Sequence, residues 1–262
     1  MDNDASDKLG ILYRKLGAYD GLCVCYSGGA DSAFLAKAAR DVLNGRAAAV
    51  LVDGAMLDRR DYNNALETAE LIGIKTHVIG MDPFETPEFR VNGRMRCYHC
   101  KKAMLGRAVD FARALGIAHV ADGSNADDLR ARRPGLAASA ELGVVSPLAE
   151  AGMTKADIRG FSRALGLPTW DKPANSCLAT RFPYGTVLTP GQLARAEAAE
   201  NALGALGVTG GRVRIHGDIA RVEVAPADFG AVIRSGLARD IRGLGFRYVT
   251  LDLEGFRSGS MD

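Results

Sequence analysis

The 262-residue chain has no long apolar run. Its cleanest stretch, Ala47 to Val52, is far short of the roughly 20 residues that a membrane helix needs, so no span and no membrane partner are expected. The first residues, MDNDASDK, are acidic and polar, which speaks against a secretory signal and for the cytoplasm. An excess of one charge is also missing. Thirty-three Lys and Arg stand against 31 Asp and Glu, and a net charge of +2 is too small to argue for bulk nucleic-acid binding. Any positive site must be local. Aromatics are few, at 6% with a single tryptophan, Trp170, which is read as packing near a site. Five cysteines are an odd count for a disulfide framework; catalysis or metal binding suits some of them better. No tandem repeat or low-complexity tract interrupts the chain. What is present, 47% apolar and 24% charged residues, is ordinary for a soluble globular protein.

Short apolar strands alternate with helical stretches through the first two thirds of the chain. Strands are expected over 21–26, 47–52, 75–79 and 118–121. Helices are expected up to Leu43, over 58–72, over 101–115 and over 154–165, with Thr154 as an N-cap. Residues 81–96 read as a loop. This alternation predicts an α/β fold with a mainly parallel sheet. After about Thr189 the pattern changes to a helix over 190–206 and strands over 212–216 and 220–224 joined at Gly217-Asp218. A helix from about Ala227 and a last strand over 247–253 follow. That β-β-α-β order predicts a smaller α+β domain. We set the domains at 1–185 and 186–262.

Ser27-Gly28-Gly29-Ala30-Asp31-Ser32 lies between the first strand and its helix. Glycines let backbone amides approach an oxyanion closely, and the helix directs its N-terminal dipole at the same anion. Ser27 and Ser32 add hydroxyl donors; Asp31 can hold Mg²⁺ or orient the loop. The segment lacks the lysine of a Walker A loop and the spacing of GxGxxG. It matches SGGxDS, the signature of PP-loop ATP pyrophosphatases, which cleave ATP between the α- and β-phosphates. Asp53, just past the second strand, stands where adenosine contacts often sit, although a loop carboxylate explains it as well. Asp122 to Asp128 (DGSNADD) follows the fourth strand, beyond whose carboxyl end ligands bind in open α/β sheets. Asp122 and Ser124 are therefore candidates for ATP or Mg²⁺, with a polar turn as the plainer alternative.

Cys97-Tyr98-His99-Cys100 is a CxxC at a helix start, and Cys177 lies in ANSCLATR. Zinc would need two further ligands, and redox use lacks a thioredoxin-like context. Three cysteines can also hold a [4Fe–4S] cluster with one iron open to carry an extra sulfide. Cys23 and Cys25 share a strand face and read as buried packing.

From end to end the chain resembles the LarE family, the ATP-dependent sulfur transferases that mature the nickel-pincer cofactor of lactate racemase. The resemblance rests on SGGADS at Ser27, DGSNADD at Asp122, RPGL at Arg133, SPLAEAGMTKADIR at Ser146 and LGLPTWDKP at Leu165. It continues with CLATRFPYGT at Cys177, RVRIHGDIARVEV at Arg212 and FRYVTLDLEGFRSG at Phe246. It implies adenylation of a carboxylate of a pyridinium dicarboxylate mononucleotide, with AMP then displaced by sulfur to leave a thiocarboxylate. Some members sacrifice a cysteine sulfur; others are thought to deliver sulfur from a three-cysteine [4Fe–4S] cluster. Cys97, Cys100 and Cys177 place this chain with the second kind, and Cys177 as a sacrificial donor stays open. Arg212 and Arg214 alternate on one strand and so share a face. With Arg181 they are expected to grip the substrate phosphate. Glu200 and Glu223 match family positions linked to metal or substrate at a subunit interface; for Glu200 a solvated helix face serves nearly as well. The resemblance further implies a homo-oligomer, a hexamer in some members, and other nickel-pincer maturation proteins as partners. The rival readings are a PP-loop tRNA thiolase, an ammonia-using adenylating ligase that has no use for the three cysteines, and a non-catalytic metal-binding protein that leaves SGGADS unexplained.

Overall fold

The structure, a computed structural model, describes residues 3–130, 134–173, 176–257 and 259–261. It divides into two compact units, Met1–Thr86 with Met95–Asn175, and Pro87–Arg94 with Ser176–Asp262. Among the described residues no helix is long and apolar enough to cross a membrane.

The first unit begins with α1 (Asn3–Gly17), β1 (Leu22–Cys25), α2 (Ala30–Leu43), β2 (Ala47–Asp53), α3 (Arg59–Ile72) and β3 (Lys75–Gly80). The short helix α4 (Pro87–Arg90) belongs to the second unit. The first unit resumes with α5 (Arg96–Ala114), β4 (His119–Ala121), α6 (Ala126–Arg130), α7 (Pro134–Glu141), α8 (Pro147–Glu150) and α9 (Lys155–Ala164). Its four strands are all parallel, in the order β3-β2-β1-β4. Leu22, Cys23 and Val24 of β1 and residues 47–51 of β2 are buried, as strands covered on both faces must be. Leu12 and Leu16 of α1, Phe34 and Leu35 of α2, and Ile158 and Phe161 of α9 join them in one core. β2 and β4 flank β1 on opposite sides, so the chain reverses its direction of winding beside β1. Ligands bind at such switch points, beyond the carboxyl ends of the strands. The loops after β1 and β4 meet there.

In the second unit α10 (Pro190–Gly204) starts from a capping box in which the Thr189 hydroxyl accepts the Gln192 amide, while the Gln192 side chain accepts the Thr189 amide. β5 (Arg212–His216) and β6 (Ile219–Glu223) form an antiparallel hairpin whose turn uses Gly217 at φ +62°. α11 (Phe229–Arg234) and α12 (Leu237–Gly243) lead to β7 (Tyr248–Leu251), which pairs parallel to β6. Apolar and charged residues alternate along β5 and β6. Val213, Ile215, Ala220 and Val222 are buried in the apolar layer with Leu193, Leu203 and Ile241. The opposite face carries Arg212, Arg214, Arg221 and Glu223.

Four local expectations are revised. Residues 81–96 contain a 3₁₀ turn at Pro83–Glu85 and helix α4 rather than loop alone. α5 begins at Arg96, five residues before the expected start, so the CxxC lies inside the helix as its second to fifth residues. The single helix expected from Ala227 is two, broken at Ser235, whose backbone is extended. Helices α1, α6, α7 and α8 were not foreseen; most are too short to complete a 3.6-residue apolar pattern.

Candidate functional site

At the head of α2 the chain leaves β1 through Tyr26 and Ser27, turns at Gly28 and enters the helix at Gly29. Gly28 is required twice over. Its φ is +67°, and a Cβ there would lie 2.4 Å from the Ala65 Cβ. The Tyr26 hydroxyl donates to the Ala65 carbonyl at 2.9 Å, fixing α3 beneath the loop. The Ser32 hydroxyl closes the turn. It accepts the Ser27 amide at 3.2 Å, donates to the Gly29 carbonyl at 3.2 Å and lies 3.1 Å from the Ser27 hydroxyl. As N-cap, Gly29 brings no side chain to the first-turn amides of α2. Those amides and the dipole behind them suit an incoming phosphate.

Two lysines distant in sequence converge on this loop. Lys155, at the start of α9, pairs with Asp31 Oδ2. The other oxygen, Asp31 Oδ1, is buried and has no hydrogen-bond partner. Lys172 Nζ donates to the Gly28 carbonyl at 3.1 Å and lies 3.2 Å from Asp61 Oδ1. Neither lysine was singled out from sequence. A loop without a Walker lysine, in need of cations from elsewhere, was the signal for both.

Asp122 is saturated with donors from within the protein. Its Oδ1 accepts the Ser124 amide and the Ser146 hydroxyl, at 3.1 and 2.8 Å. Its Oδ2 accepts Lys101 Nζ at 2.7 Å and the hydroxyls of Ser124 and Ser139 at 2.9 and 2.7 Å. Burial pushes this carboxyl up, but the Lys101 ammonium and the hydroxyl donors outweigh it and hold it below the usual carboxylate range. Asp122 is thus a structural hub. It fixes the turn in which Gly123 approaches the α2 backbone, where a Cβ would meet the Ser32 nitrogen at 3.0 Å. Asp53 ends β2 and pairs with Arg59 across the start of α3.

The CxxC pair splits. Cys97 is exposed with Arg96 Nη2 3.5 Å from its sulfur, whereas Cys100 is buried against the Met104 sulfur at 3.9 Å. They are the second and fifth residues of α5.

In the second unit Cys177 is half-buried and precedes a 3₁₀ turn, Leu178–Arg181. Arg181, 2% exposed, organises that turn. Its Nη1 donates to the carbonyls of Ser176 and Cys177 at 2.7 and 3.2 Å, and to the hydroxyls of Ser176 and Thr180 at 2.9 Å. Its Nε and Nη2 engage Glu200. Arg181, expected to help grip a phosphate, is thus engaged within its own unit by the Cys177 turn and by Glu200. Arg214 Nε donates to Glu223 at 2.9 Å and its Nη1 to the Thr180 carbonyl at 3.2 Å. Glu223 is fully buried and also accepts from Arg221 and Ser260. Arg212 lies over the Phe256 ring at 5.5 Å. So Arg181, Arg212, Arg214, Glu200 and Glu223 do gather in one unit, with both glutamates serving arginines. Among the described residues no group of three or more His, Cys, Asp or Glu side chains gathers as a metal site.

A parallel sheet with a glycine turn and an uncapped helix at its switch point defines a PP-loop nucleotide-binding protein. Residues 4–91 match the NAD synthase family. The chain is 39% identical over 242 residues to the pyridinium-3,5-bisthiocarboxylic acid mononucleotide synthase of Lactiplantibacillus plantarum, covering 91% of this chain and 88% of that protein. It is also 39% identical to an uncharacterized protein of Synechocystis sp., over 97% of both chains. A shorter match, 26% identical over 114 residues, joins it to a tRNA-cytidine(32) 2-sulfurtransferase of Bdellovibrio bacteriovorus, covering 42% of this chain and 44% of that protein. The chain belongs to the LarE family, that of the pyridinium-3,5-bisthiocarboxylic acid mononucleotide synthases.

Proposed function

We propose that this protein is an ATP-dependent sulfur transferase acting on a carboxylate of a pyridinium dicarboxylate mononucleotide. The observation that carries the reading is the Gly28–Ser32 turn, with its uncapped first-turn amides and the orphaned, buried Asp31 Oδ1, in a chain 39% identical to such a synthase. The amides of α2 receive the phosphates. A carboxylate oxygen that is buried and without a partner suits a cation, so Asp31 is the residue that would hold Mg²⁺, which supplies charge neutralisation when bound.

The reaction has two displacements. A substrate carboxylate oxygen attacks the α-phosphorus of ATP; the bond to the β-phosphate breaks and pyrophosphate leaves with its electron pair. A sulfur nucleophile then attacks the acyl carbon, the carbon–oxygen bond to AMP breaks, and a thiocarboxylate remains. The product serves nickel-pincer cofactor synthesis. Arg212 and Arg214 are assigned to the mononucleotide phosphate, on the charged sheet face of the second unit. Arg181 and Glu200 set the turn that carries Cys177. Asp53 and Ser124 are assigned to the nucleotide side, Ser124 through its bonds to Asp122.

Cys97, Cys100 and Cys177 are the residues that would hold a [4Fe–4S] cluster. The cluster would supply the sulfide nucleophile when bound. This assignment rests on the three cysteines and on the place of two of them at the start of α5. In the alternative, Cys177 itself donates: its Cβ–S bond breaks, the α-proton is lost and dehydroalanine remains. Iron and acid-labile sulfide, measured after anaerobic purification, separate the two. About four of each per chain, lost in Cys97→Ala, supports the cluster. None in either protein, with a mass loss of one H₂S after turnover, assigns the sulfur to Cys177. AMP and pyrophosphate must form from ATP only when the mononucleotide is present; failure of that test sinks the whole reading. We place the enzyme in the cytoplasm, where ATP is found, and assign it a homo-oligomeric state.

The partial match to a tRNA sulfurtransferase favours one second reading, a tRNA thiolase. It requires a tRNA gel-shift with steep salt dependence.

A further inference from the structure

Gly28 is held from two sides. Below it, the α3 face formed by Asp61 and Ala65, one turn apart, supports the turn; a Cβ on Gly28 would reach Ala65 Cα at 2.8 Å. Beside it, Lys172 Nζ reaches the Gly28 carbonyl at 3.1 Å and is itself held by Asp61 at 3.2 Å. The Gly28 carbonyl and the Gly29 amide belong to one planar trans peptide unit, so the two point in opposite directions. Fixing the carbonyl fixes the amide. A lysine on the carbonyl side therefore aims the Gly29 N–H away from itself, toward the open head of α2. The next unit is fixed in the same way: the Gly29 carbonyl accepts the Ala33 amide at 2.9 Å and the Ser32 hydroxyl, which orients the Ala30 N–H. The Ser27 amide is already taken by Ser32.

Glycine makes such a clamp necessary. A residue free to occupy both signs of φ lets its flanking peptide flip. A flipped Gly28–Gly29 unit would present a carbonyl oxygen to the phosphates in place of an N–H. The ammonium of Lys172 stabilises one of the two orientations, and a charge-assisted hydrogen bond is well suited to that choice.

We propose that Lys172 is a positioning residue for the phosphate loop, acting through the Gly28 carbonyl to hold the Gly29 amide toward the phosphates. The inference rests on the ATP reading above and adds a residue to it. Lys172 does not touch the phosphates in this account.

The test is binding of three probes, Mg²⁺ with α,β-methylene-ATP, pyrophosphate, and adenosine, to the full chain and to Lys172→Met, Lys172→Arg and Asp61→Asn. Lys172→Met should weaken the analogue and pyrophosphate by about tenfold or more, the size of one lost charge-assisted bond, while adenosine binds as before. Lys172→Arg, which keeps a cationic donor, should recover most of that loss. Asp61→Asn spares the bond to Gly28 and should lose less than Lys172→Met. Unchanged pyrophosphate affinity in Lys172→Met overturns the inference. So does an equal loss for adenosine, which would mark general damage, or an equal loss in Asp61→Asn, which would make Lys172 a tether for α3. A wild-type chain that binds neither the analogue nor pyrophosphate overturns the ATP reading, and this inference with it.

Discussion

Arg181 and Glu200 meet fork to fork, Nε to Oε1 and Nη2 to Oε2, both at 2.8 Å. The same carboxylate accepts the Val213 amide at 3.1 Å, so the pair joins the Cys177 turn, helix α10 and strand β5. Both side chains are nearly out of water, at 2% and 11% exposure. Removing one partner leaves the other charged and unpaired. Arg181→Ala is expected to lower unfolding free energy by about 3–5 kcal/mol in urea titration. Arg181→Lys keeps the charge but loses the fork, and should be only partly restored. At a temperature where Arg181→Lys is folded, thiocarboxylate formation should slow more than ATP–pyrophosphate exchange, because the carbonyls it orders belong to Ser176 and Cys177. Equal slowing of both would count against this role.

Asp122 gives a prediction in pH. Its carboxyl is held below the usual range, so its folded value lies under that of the unfolded chain, about 3.9. The ionised group then adds stability in full above the unfolded value. That contribution drains away as pH falls through it toward the folded value. Asp122→Asn should cost about 2–3 kcal/mol at neutral pH, since Lys101 and the serines lose an anionic acceptor. Its stability should also vary less with pH below about 4 than the wild type's. Urea midpoints at several pH values decide this, and parallel acid limbs would contradict it.

Strands β1 and β2 were legible because they are buried on both faces and read as plain apolar runs, LCVC and AAAVLVD. Thr154 marked a helix start through its own capping chemistry, and its side chain does accept a first-turn amide; Asp58 and Thr189 cap α3 and α10 in the same way. The phosphate loop was legible for a similar reason: its residues act on neighbours a few positions away. Lys155 and Lys172 were missed, and the internal bonds of Asp122 and Arg181 were not legible, because their partners lie far along the chain. Asp122 bonds Lys101 and Ser146, and Arg181 bonds Glu200. No local pattern says which carboxylate is saturated from within and which, like Asp31, keeps an oxygen open.

The five thiols should separate by reactivity. Cys97 is exposed, while Cys23 lies in the sheet with its thiol pushed up to about 11 by burial. Burial raises Cys25 as well, with Cys23 and Asp122 adding to it. The thiolate is the reactive form, so at pH 8 both strand cysteines should resist alkylation in the native, metal-free chain. Brief iodoacetamide treatment and peptide mass spectrometry should find Cys97 modified first and the two strand cysteines, Cys23 and Cys25, last. Early labelling of Cys23 would mean that β1 opens readily.

Adjacent glycines of the loop should respond in opposite ways to the same methyl group. At Gly28 an alanine must adopt φ +67°, at a cost of about 1 kcal/mol or more, and its Cβ falls 2.4 Å from that of Ala65. Backbone or helix α3 has to move, which adds roughly 1–3 kcal/mol. Gly29 has φ −82°, and its nearest neighbour to a new Cβ is the Ser27 hydroxyl at 3.5 Å, an ordinary contact. Gly28→Ala should therefore melt several degrees below wild type, and Gly29→Ala close to it. Ala65→Gly in the Gly28→Ala background removes the methyl contact. It leaves the strained φ, and also the Ala65 Cα at 2.8 Å, so the rescue should be partial. Thermal melts with and without Mg·ATP read both levels at once. A stable Gly28→Ala with a full ATP shift would show that the loop does not need its left-handed turn.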